Sequence, residues 1–138
     1  MKNIIILSFV ILLIGCTQDI VKYQGDPVDV ITQGRWNWDG AEGFCKDTTH
    51  NVRFNEDRSR MYVNFYHGHS NDLIETTEYI VKNRNGAILS TKMVGEDYKD
   101  SSGNLVSWDL IVNSETEYCW RRSDWIETRC SAARLKCP

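Results

Sequence analysis

Alternation of apolar and polar side chains at every second residue, broken by short polar turns, restricts the fold of this chain more than any other feature. From Thr49 to Asn55 it sets His50, Val52 and Phe54 on one face against Asn51 and Arg53 on the other, as a half-buried strand requires. After the polar turn Asn55-Glu56-Asp57-Arg58-Ser59, Met61, Val63 and Phe65 alternate with Tyr62, Asn64 and Tyr66, which completes a hairpin. Leu73 to Lys82 and Ala87 to Val94 read as further strands. They are joined through Asn83-Arg84-Asn85-Gly86, whose Asn-Gly pair suits a tight turn at positive φ. A polar loop from Asp97 to Gly103 leads to Val106, Trp108, Leu110 and Val112, opposite Ser107 and Asp109. Beyond Asn113-Ser114-Glu115, a last clear segment carries Tyr118, Trp120 and Arg122 on one side, and a strand around Trp36 precedes them all. Helical periodicity is faint, with a helical turn expected only at Ala132 to Lys136. Pro27 forbids a regular helix through the middle of residues 17–32.

Consecutive strands with short turns imply an all-β antiparallel up-and-down meander of about seven or eight strands. Closing it into a small barrel removes the exposed edges that invite aggregation, and a β-sandwich is the alternative. Alternation alone does not separate the two.

The five cysteines fall into one near the start, Cys16, and four in the strand-rich part: Cys45, Cys119, Cys130 and Cys137. In an exported chain four cysteines read as two disulfides with three pairings open, while a zinc site lacks any close Cys-x-x-Cys pair. The formal net charge of −3, with no lysine or arginine run, argues against nucleic acid as a partner.

Export itself is read from the N-terminus. Met1 to Asn3 carries one lysine, and Ile4 to Ile14 is apolar except for Ser8. That run falls short of the roughly 20 apolar residues needed to cross a bilayer. Its ending, Leu13-Ile14-Gly15-Cys16, resembles the lipobox of bacterial lipoproteins. The resemblance implies a signal peptide over residues 1–15, cleavage before Cys16, and attachment of the Cys16 thiol to a diacylglycerol. The membrane is then a partner through fatty acyl chains such as palmitate, and residues 16–32 form a tether and lead-in to a domain over residues 33–138. Thr17, not aspartate, follows the cysteine, which by enterobacterial sorting rules directs the protein to the outer membrane, facing the periplasm.

Gly34-Arg35-Trp36 on the opening strand, with Arg121 and Arg122 on the last clear one, resembles the lipocalin and wider calycin arrangement. In that arrangement a Gly-x-Trp tryptophan meets an arginine from the end of the barrel. The resemblance implies a stacked pair, Trp36 with Arg122, closing one end through a cation–π contact of about 0.5–2 kcal/mol. The chain is shorter than typical lipocalins and shows no other short motif of the family.

His67-Gly68-His69 places two imidazoles close together, with only Asp72 or His50 as further metal ligands, so loop histidines without a metal are the expectation. Glu75 with Glu78, and Glu115 with Glu117, read as solvated surface. There is no Gly-x-Ser-x-Gly elbow, His-Glu-x-x-His or phosphate-cradling glycine loop, so no catalytic residue and no cofactor is expected. Trp38 and Trp125 lie in polar surroundings and are expected to be partly exposed. On one rim they would mark a contact surface. The function expected is a non-catalytic envelope binding module for a small apolar ligand or a protein partner. An inhibitor of a lysozyme or protease, resembling other small lipid-anchored barrels, and a structural envelope lipoprotein are the alternatives.

Overall fold

The computed structural model describes residues 23–38, 45–125 and 132–138. A short helix, α1 (Pro27–Ile31), precedes eight strands: β1 (Trp36–Trp38), β2 (Thr48–Phe54), β3 (Arg60–His67), β4 (Leu73–Asn85), β5 (Ile88–Met93), β6 (Trp108–Ser114), β7 (Glu117–Arg122) and β8 (Ala132–Lys136). Each strand pairs antiparallel with the next, and β8 returns to pair with β1, so the sheet is a closed barrel in sequence order. The sandwich alternative is excluded by that closure.

The alternation positions the interior. Val52 on β2 lies opposite Val63 on β3, and Leu110 on β6 opposite Trp120 on β7, all of them buried. Trp36, Met61, Leu89, Leu110 and Tyr118 have no exposed surface, and burying each large apolar side chain contributes about 1.5–3 kcal/mol.

Two segments depart from the sequence reading. Ala132 to Lys136, expected as a helical turn, is β8, the strand that closes the barrel. Trp36, Asn37 and Trp38 lie opposite Lys136, Leu135 and Arg134, and this long-range ladder overrides the helix propensity of an Ala-Ala-Arg-Leu-Lys run. Pro27 starts a helix at its first turn, where its missing N–H costs nothing. Asp26 caps it, accepting a hydrogen bond from the Val28 amide at 2.9 Å.

α1 plugs one end of the barrel. Val30 and Ile31 are buried in the core, and the Trp36 indole Nε1–H donates to the Ile31 carbonyl at 3.1 Å. The Asp26 carboxylate pairs with Arg58 at 3.0 Å and Arg84 at 3.3 Å, tying the helix to the β2–β3 and β4–β5 hairpins. The connections after β1, β3, β5 and β7 leave from the opposite end.

Cys45 and Cys137 form a disulfide across 92 residues, which resolves one of the open pairings. Cys119 is disulfide-bonded as well. Cys130, Cys16, the lipobox and the signal segment lie outside the described residues.

Candidate functional site

The end opposite α1 holds a cavity of about 250 Å³. Its deepest lining residues are His50 on β2 and Val63 on β3, each 3% exposed, with Phe65 beside them. Tyr79, Trp108 and Trp120 form the aromatic wall, and Trp38 and Trp125 stand at the rim, 49% and 36% exposed. The two tryptophans expected at a surface therefore share one rim.

The wall is held by ring packing. Tyr79 stacks on Trp120 at 5.1 Å between centroids, while Trp108 meets Trp120 edge-on at 6.2 Å and Trp125 at 5.7 Å. Such pairs contribute about 0.5–1.5 kcal/mol beyond area burial and fix ring orientation. The Trp108 indole N–H is buried with no acceptor among the described residues, a cost of about 1–3 kcal/mol retained in the wall.

Two polar side chains enter this apolar space. His50 pairs through Nε2 with the Tyr118 hydroxyl, and burial, reinforced by the charge of Arg134, pushes its pKa down to about 3, so the imidazole is neutral. Burial raises Tyr118 and takes Tyr79 up to about 12, so both phenols stay protonated. Arg134, on β8 opposite Tyr118 and Trp38, is 7% exposed and lays its guanidinium 3.1 Å from the centre of the Trp38 ring. Burial draws its pKa down only to about 10, which leaves it charged at neutral pH.

Arg122 and Trp36 do not form the expected stack. Trp36 sits against α1, edge-on to Tyr118 at 4.9 Å. Arg122 ends β7, five residues beyond Glu117, roughly 17 Å along the strand at strand rise. There the register with Trp108 puts it at the cavity end. It grips the Asp124 carboxylate with two bonds, of 2.6 and 3.0 Å, and lies 4.4 Å from the Tyr98 ring and 5.3 Å from the Trp125 ring. Arg122 thus organises the rim, not the closed end.

The other candidates stay apart. His67 at the end of β3 and His69 in the turn that follows are exposed, whereas His50 faces the interior. Among the described residues no three His, Cys, Asp or Glu side chains gather as a metal site would require. Glu75 is exposed, Glu78 pairs with Arg60 at 2.7 Å, Glu115 is exposed, and Glu117 accepts from Asn113 at 2.8 Å. Sequence reasoning missed Arg134, because Ala132 to Lys136 reads as a helical turn, on which a lone arginine is expected to face solvent. Its inward direction follows only from the β8 register against Tyr118 and Trp38. No family model, curated protein or solved structure matches the chain.

Proposed function

We propose that this protein is a lipid-anchored bacterial envelope module that takes up a small, largely apolar ligand, without catalysis, in the open end of its barrel. The cavity of about 250 Å³ walled by tryptophan, tyrosine and phenylalanine carries this reading, since ligand pockets are concave, mostly apolar and polar at a few points. The Leu13-Ile14-Gly15-Cys16 resemblance supports the anchor and the outer-membrane placement.

The test is native mass spectrometry of the exported chain carrying Cys16→Ala behind a cleavable secretion signal, purified without detergent. Co-purified mass that dissociates at raised collision energy is expected, and a uniformly empty protein that also takes up no apolar probe would overturn the reading. Labelled palmitate should enter the native protein and be absent from the Cys16→Ala variant.

A second reading, a protein partner such as an envelope enzyme that the barrel inhibits, is favoured by one observation. Among the described residues the seven exposed large hydrophobic ones, including Leu73, Ile74, Val94, Tyr98 and Leu105, lie at the cavity end. Capture of a single enzyme from envelope extract, lost on replacing Tyr98 and Leu105 by serine, would support that reading.

A further inference from the structure

We propose that the cavity selects a small aromatic carboxylate, its ring lodged among the tryptophan and tyrosine rings and its carboxylate held by Arg134. This inference rests on the ligand-binding reading above and adds the chemistry of the ligand.

Size sets the first limit. An apolar cavity of about 150 Å³ accommodates benzene, and pockets for drug-sized ligands run from about 300 Å³ upward. About 250 Å³ therefore fits one or two fused rings with a short substituent. Shape sets the second. Tyr79 and Trp120 are stacked parallel within 27°, and Trp108 stands at 87° to Trp120, so the wall presents flat faces and ring edges at right angles. A planar ring meets such a wall in the offset-stacked and edge-on arrangements that aromatic quadrupoles favour.

Charge sets the third limit. Among the described residues lining the cavity, Arg134 alone is charged at neutral pH, His50 being neutral, and none of them is a carboxylate. A guanidinium largely removed from water attracts an anion, and in a dry site that attraction exceeds its value in water. The guanidinium carbon lies over the Trp38 ring, and the group carries five N–H donors in its own plane. Five donors allow Arg134 to keep a structural partner and still receive a ligand carboxylate. A cationic ligand meets like charge, and a neutral one forgoes the charge-assisted bonds.

The test compares three probes of one ring system, 2-naphthoate, naphthalene and 2-naphthylmethylammonium, titrated against the exported Cys16→Ala chain by calorimetry and tryptophan fluorescence. Naphthoate should bind at least about tenfold more tightly than naphthalene, with the ammonium weakest. In Arg134→Met, naphthalene affinity should be kept and the naphthoate preference lost. Circular dichroism and a thermal melt establish whether that variant folds. If it does not, Arg134→Lys, which keeps the charge without the planar fork, should keep part of the preference. Equal binding of naphthoate and naphthalene to the unaltered cavity would overturn the carboxylate inference while leaving the apolar-ligand reading intact. Binding of none of the three overturns this inference, and the mass-spectrometric result then decides the broader reading separately.

Discussion

His50 shows how one buried side chain sets the response of the whole barrel to acid. Its imidazole is neutral in the folded protein, with a pKa near 3, whereas in the unfolded chain it titrates near its ordinary value of about 6.5. Above about pH 6.5 both states are neutral and its contribution is complete. Between about pH 6.5 and 3 the unfolded state takes up a proton that the folded state refuses, so stability falls with pH by about 1.4 kcal/mol per unit. Urea unfolding at about pH 7 and about pH 4.5 should differ by about 2–3 kcal/mol on account of this residue. His50→Gln, which can still bond the Tyr118 hydroxyl, should flatten that slope. An unchanged slope would place the acid sensitivity elsewhere. Gly68 is a second such position. It sits at φ +51°, and a Cβ there would collide with the Lys46 carbonyl, while Gly86 at φ +56° has open space around it. Gly68→Ala should therefore cost about 2 kcal/mol more than Gly86→Ala, which bears only the left-handed backbone penalty of about 1–2 kcal/mol. Paired thermal melts of the two variants test the difference.

At the scale of elements, the small α1 shows a separation between capping and charge. Asp26 both caps the helix and pairs with Arg58 and Arg84, whose side chains are 43% and 44% exposed. Exposed ion pairs contribute little and an N-cap about 1 kcal/mol, so Asp26→Ala should destabilise by about 1 kcal/mol and Asp26→Asn by far less. Equal losses in chemical denaturation would show that the charge dominates. The sequence revealed β2, β3, β5 and β6 through their alternation, and β4 and β7 through the polar turns that bound them. α1 and β8 were hidden for different reasons. Pro27 reads as a breaker unless Asp26 is recognised as a cap, and Ala132 to Lys136 carries no apolar alternation of its own, being made a strand by ladders to β1 and β7. The cavity was legible only through Trp38 and Trp125, read as partly exposed and as marking a contact surface on one rim. Which aromatic residues face inward past the core, and that Arg134 joins them, depends on how the last strand registers against the first. Trp36 of Gly34-Arg35-Trp36 lies in the interior, while the partner expected for it, Arg122, lies at the other end of β7.

Across the whole molecule, the two ends of the barrel are built oppositely, and among the described residues the junction of β1 with β2 has the fewest registered pairs. One end is plugged by α1 and rimmed with charged hairpins, and the other is open, aromatic and apolar. Among the described residues β1 has three and meets β2 at a single registered pair, Trp36 with His50, while three pairs join it to β8. The Cys45–Cys137 disulfide ties the residues leading into β2 to the residue after β8, beside this junction, where the Cys137 amide also donates to the Arg35 carbonyl at 2.8 Å. Because it closes a loop of 92 residues, the chain-entropy model gives it about 4–5 kcal/mol of stabilisation. Reduction would also attack the bond at Cys119, so the paired variant Cys45→Ala with Cys137→Ala isolates it. That variant should melt about 10–20 °C lower than the parent. The loss should concentrate in β1 and β8, read as amide hydrogen exchange accelerated there before β3 and β4. Because Trp38 and Arg134 stand on those two strands, naphthalene should bind the variant more weakly even well below its melting temperature. A variant that melts lower but binds as before would mean that the bond stabilises the fold without holding the cavity, and the junction would then have no part in ligand uptake.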